Sequence, residues 1–242
     1  MTSKLAYSLE GSGEKTIVML HGWGMSKDAF AVLSNKFNTK AKCLIVDFYG
    51  FGDSGMPEEH YDTYEYAYQI FLLLSKLDIK NIILVGHSFG GRIAIILSSV
   101  FDINIEGLVL TASAGLNRFN LKKKVKVLVY KFKKKLSSYG LYSVKKLTEA
   151  GSSDYKKLSP IMKSCFVKIV NQDLSFLLSK IKVKTKLFWA KDDMSTPLWI
   201  CKKLNKKIVG SSAIIFERGG HFIYLKRLNS FALIIESLLS NK

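Results

Sequence analysis

Short apolar runs rich in β-branched residues alternate with longer amphipathic stretches through the first 115 residues. The runs 5–9, 16–20, 43–47, 81–85 and 107–111 have the length and composition of strands. Between them, 26–37, 64–77 and 89–100 read as helices; in 64–77 apolar residues recur at three- and four-residue intervals, as packing on a sheet requires. The alternation resumes at 186–190, followed by a helix over 197–207, a strand at 213–216 and a last helix over 227–239. Apolar strands separated by helices predict an α/β fold, a mostly parallel central sheet covered on both faces. Right-handed crossovers then gather the loops after the strands along one edge, where open α/β sheets place their sites.

Residues 116–185 interrupt this pattern. Helical pieces are expected over 120–136, 140–149 and 160–172, with Pro160 at a first helical position. The division predicted is a core of 1–115 and 186–242, carrying 116–185 as a helical, basic insertion rather than an independent domain.

Charge sharpens that division. The chain of 242 residues has a formal net charge of +18. Residues 116–186 hold 18 Lys and one Arg against three acids, +16 of the total, so the rest carries only +2. Stretch 121–136 has eight lysines in sixteen residues, with Leu121, Val125, Leu128, Phe132 and Leu136 on one helical face. A solvated lysine face, an anionic lipid surface and an acidic protein partner each fit such a helix. No aromatic-basic interleaving or recognised module accompanies the charge, so nucleic acid is not expected. Mean hydropathy of +0.13 excludes disorder as the general state. No apolar run approaches the ~18 residues of a membrane span, and the N-terminus has no secretory signal. Three scattered cysteines, Cys43, Cys165 and Cys201, do not suggest a disulfide framework, and a cytoplasmic location is expected. The four histidines have no metal-ligand spacing, so neither metal nor cofactor is expected.

Candidate chemistry centres on Gly86-His87-Ser88-Phe89-Gly90, which follows a strand and opens a helix. In that context a G-x-S-x-G elbow projects its serine from the sheet edge and points the following amide, here that of Phe89, at the site. A serine nucleophile needs a base and a group to orient it. His221 lies in a glycine-marked loop between the last strand and the last helix, whereas His21 and His87 sit in tight turns and His60 in a polar loop. An acid leaves the end of strand 186–190, and residue type alone allows either Asp192 or Asp193. The order Ser88, Asp, His221 is that of one serine-hydrolase lineage.

Together with 47-DFYGFGDSG-55, these segments make the sequence resemble an α/β-hydrolase of the single-domain esterase type with a helical cap. In that family the cap is inserted after strand 6 and covers the nucleophile, the part that 116–185 would play. The acid's usual spacing to a proline selects Asp193, which begins Asp-Met-Ser-Thr-Pro. His21-Gly22-Trp23-Gly24 is similar to the turn supplying the second oxyanion-hole amide, which the resemblance assigns to Trp23 beside Phe89. Asp47, Asp53, Ser54 and Arg92 are expected to be structural. Implied is a serine hydrolase that cleaves an ester or thioester of a small or medium acyl substrate through an acyl-enzyme on Ser88. Carbon–carbon bond hydrolases and perhydrolases share the triad, and the fold also serves as a ligand receptor. Proline-type aminopeptidases, which hold an amine with cap acids, fit a cap with three acids poorly. The opening 21-HGWGM-25 is similar to that of pimeloyl-acyl-carrier-protein methyl esterases, which dock an acidic carrier protein on basic cap residues.

Overall fold

The computed structural model describes residues 4–117, 155 and 157–240. The expected helices over 120–136 and 140–149, and with them most of the basic segment, lie outside the described residues.

Among the described residues seven strands form one sheet: β1 (Tyr7–Gly11), β2 (Thr16–Leu20), β3 (Lys42–Val46), β4 (Ile82–His87), β5 (Ile105–Thr111), β6 (Lys184–Ala190) and β7 (Ser212–Phe216). Their order is β1-β3-β2-β4-β5-β6-β7. Only the edge strand β1 runs antiparallel, pairing Tyr7 with Val46; the other pairs are parallel. The inner strands are apolar along their length because both faces are covered. Period two sorts them. Val18, Leu20, Leu84, Leu108 and Leu110 join one core with α2 (Thr63–Lys76) and α3 (Phe89–Val100). Ile17, Met19, Ile83, Val85 and Val109 join the other core with α1 (Ala31–Ser34) and α7 (Leu228–Leu239).

Among the described residues three α-helices remain: α4 (Pro160–Asn171), α5 (Leu198–Lys207) and the single turn α6 (Ile223–Lys226). Helix α4 starts at Pro160, as the sequence predicts, and Ser159 caps it by accepting from the Met162 amide. Its Met162, Cys165 and Ile169 reach the same core as α2.

Three expectations need correction. The helix predicted over 26–37 breaks into a 3₁₀ turn, Lys27–Phe30, and the one-turn α1, because the backbone leaves helical geometry at the buried Phe30, with φ −114° and ψ 3°. Strand β1 begins at Tyr7 rather than residue 5, since Leu5 turns into the core and Ser54 Oγ takes the Ala6 amide at 2.8 Å. The basic segment follows this chain's fifth strand, not its sixth, because among the described residues only one strand, β1, precedes β2.

Candidate active site

The carboxyl ends of β2, β4, β6 and β7 fall on one sheet edge, and each delivers one candidate. β4 leads directly into Ser88, which adopts φ 52° and ψ −108° before α3 begins. A non-glycine residue there is strained, and such strain persists only where its surroundings fix it. They do: the Ser88 amide donates to Thr111 O at 3.2 Å, and its carbonyl accepts from Gly91 N and Ala114 N.

The glycines of the elbow answer to space. A Cβ on Gly90 would lie inside the van der Waals shell of the Leu20 carbonyl and 2.8 Å from His21 O; one on Gly86 would lie 2.7 Å from Gly90 O. These are backbone atoms and cannot swing away. Gly90→Ala is therefore expected to cost about 3 kcal/mol or more. That corresponds to a melting point lower by roughly 6–12 °C. An unchanged thermal melt would remove the packing account of this glycine.

Of the first amides of α3, that of Gly90 goes to His21 O at 2.9 Å and that of Gly91 to Ser88 O, while Phe89's has no acceptor in the helix's own ladder. The Trp23 ring packs edge-on against Phe89, with centroids 5.4 Å apart, and against Phe51 and Phe166. The loop after β2 and the elbow are thus adjoining. Beneath them lies a network of polar groups. Asp47, fully buried, accepts from Lys27 N and Asp53 N, Ser54 Oγ donates to Asp47 O, and Arg92 donates to Gln172 O at 3.0 Å. His21 donates through Nδ1 to Gly22 O and accepts from Phe48 N at Nε2, which occupies both ring nitrogens.

The acid and the histidine meet. His221 Nδ1 donates to Asp193 Oδ2 at 3.0 Å. Asp193 turns through an Asx-type turn in which Oδ1 accepts from Ser195 N and Thr196 N at 2.8 and 2.9 Å. Burial alone would raise the Asp193 carboxyl's pKa; the hydrogen bonds from His221 and Thr196 outweigh it and hold the group below its usual range, so it is a carboxylate. That fixes the proton of neutral His221 on Nδ1 and leaves Nε2 bare. No hydrogen bond joins Ser88 Oγ to His221 among the described residues, although the ring of His87, the residue before Ser88, lies 4.8 Å from that of His221.

One partner of the site, Thr196, is not singled out by the sequence, and Asp192 takes a role other than the one weighed for it. Thr196 Oγ1 lies 2.6 Å from Asp193 Oδ2 and 3.0 Å from Ala112 O, tying the acid to the end of β5. A threonine three residues after an aspartate at a strand end is the available signal. Asp192, the rejected acid, faces the other way and accepts the Gly219 and Gly220 amides at 2.9 and 2.8 Å. It braces the loop that carries His221.

His87 is buried, and burial first, then the neighbouring His221, pushes its pKa down to about 3; His21 is lowered by burial as well. The unfolded chain takes up these protons near pH 6.5, while folded His87 stays neutral until about pH 3. Stability is therefore full above pH 6.5 and falls as pH drops through that window. His87 alone should remove roughly 2 kcal/mol between pH 7 and pH 5. Urea unfolding at the two pH values checks this, and His87→Phe should flatten the difference by that amount.

Comparison with known proteins agrees with this architecture. Residues 15–140 match the family described as "alpha/beta hydrolase fold". The chain is 25% identical over 237 residues to the AB hydrolase superfamily protein YisY of Bacillus subtilis, covering 86% of this chain and 85% of that one. It is 24% identical to the karrikin insensitive 2 receptor CA of Petunia hybrida, covering 95% and 92%. Among solved structures, an esterase from Exiguobacterium antarcticum superposes with a TM-score of 0.77 at 23% identity, over 99% of this chain and 96% of that one.

Proposed function

The chain belongs to the alpha/beta hydrolase fold family, and on that premise we propose that it is a serine hydrolase cleaving carboxylic esters or thioesters through an acyl-enzyme on Ser88. The observation that carries this reading is the hydrogen-bonded line from Thr196 through Asp193 to His221, at the sheet edge where Ser88 is held in a strained elbow. Ser88 Oγ attacks the substrate carbonyl carbon, and its proton passes to His221 Nε2. Asp193 stabilises the imidazolium without taking the proton. The Trp23 and Phe89 amides hold the oxyanion. Collapse expels the alcohol or thiol, protonated by His221, and water repeats the cycle on the acyl group to release acid and regenerate Ser88.

One relative over most of this chain is named as a receptor, so turnover is the discriminating property. Hydrolysis of short-chain p-nitrophenyl esters, compared between wild type and Ser88→Ala, tests the reading. Fast release of p-nitrophenol by the wild type alone supports it. Equal rates in both proteins, or tight ester binding without turnover, would overturn it.

A further inference from the structure

His87 is a buried titratable group that the proposed chemistry leaves unused. It lies between the two loops that chemistry depends on. On one side its Nε2 is 3.1 Å from the main-chain carbonyl of His221. A carbonyl only accepts, so Nε2 carries the proton and Nδ1 is bare. The two rings face each other at 4.8 Å and 51°, and Phe222 and Tyr224 close around His87 at 5.5 and 4.9 Å. On the other side the Nδ1 edge abuts the loop after β2. A Cβ on Gly22 would meet His87 Nδ1 at 2.9 Å and Cε1 at 3.2 Å. That nitrogen is buried and without a hydrogen-bond partner among the described residues.

We propose that His87 is a positioning residue: its Nε2–H holds the main chain of the base His221, and its opposite edge sets the loop that carries Trp23. The inference rests on the reading of His221 as the base. One rigid ring then fixes the distance between proton acceptor and oxyanion donors, both of which must be placed to well under an ångström. The arrangement needs the ring neutral. A proton on Nδ1 would put a buried cation against Gly22 and beside His221, with Asp193 and His21 as the other ionisable neighbours. Burial disfavours that state. Glycine at position 22 follows from the same contact, because any side chain there would displace the ring.

The test uses steady-state hydrolysis of p-nitrophenyl acetate by wild type, His87→Phe, His87→Gln and Ser88→Ala. Phenylalanine fills the space without a donor, whereas glutamine places an amide N–H near the Nε2 position. Expected are a kcat lower by about 10- to 100-fold in His87→Phe, a KM within about threefold, and recovery of most of the loss in His87→Gln. Wild-type kcat in His87→Phe, or no recovery in His87→Gln, overturns the inference. If Ser88→Ala keeps wild-type activity, the hydrolase reading fails instead. Nitrogen-15 spectra of the wild type provide a second readout that needs no variant to fold. Nε2 should resonate as protonated and Nδ1 as bare down to about pH 4, and a ring titrating near pH 6.5 or protonated on Nδ1 overturns the assignment.

Discussion

Ser88→Ala is expected to lower kcat for ester hydrolysis by on the order of 10⁴- to 10⁶-fold while leaving the fold intact. In the proposed mechanism the loss is large because the Ser88 hydroxyl is the atom that would form the acyl-enzyme. Residual turnover above the uncatalysed rate should remain, since the Trp23 and Phe89 amides would still stabilise attack by water. Alanine at φ 52° is no more strained than serine there, so melting should stay within a few degrees. Steady-state rates together with a thermal melt separate the two effects. A variant that melts like wild type and hydrolyses esters at the wild-type rate would remove Ser88 from the mechanism.

Asp193→Asn should cost about 10⁴-fold in kcat, since an amide can present its N–H to His221 and turn the imidazole to the wrong tautomer. The neighbouring Asp192→Asn is the informative control. Asp192 accepts the Gly219 and Gly220 amides rather than the imidazole, and those bonds hold its carboxyl below the usual pKa range. Its replacement loosens the His221 loop without changing the tautomer, and a loss below about tenfold is expected. Matching kinetic losses in the two variants would contradict the assignment of separate roles to these adjacent carboxylates.

The difference between Asp192 and Asp193 also shows where sequence stops being informative. The parallel core is legible because strands covered on both faces must be apolar throughout, and helix α3 runs from Phe89 to Val100 as its pattern predicts. The elbow is legible because glycine at 86 and 90 answers a close approach of backbone to backbone. Two consecutive aspartates leaving one strand are told apart in the sequence only by the family's spacing to a proline, which selects Asp193. That choice is made by the Asx-type turn at Ser195 and Thr196, and residue type alone left it open. The same limit hid the roles of Thr196 and His87 and the broken helix at 27–34, which depend on tertiary contacts rather than on periodicity. Strand β4 runs two residues past its expected end because Gly86 and His87 stay paired with Leu110 and Thr111. That pairing places His87 against His221.

The most direct test of the central claim is covalent. Treating the folded protein with a fluorophosphonate and mapping the modified peptide by mass spectrometry reads out which side chain is the activated nucleophile. One adduct per chain, on Ser88, with loss of esterase activity in step and no labelling of Ser88→Ala, is the predicted result. Labelling elsewhere, or full activity after Ser88 is modified, would contradict it.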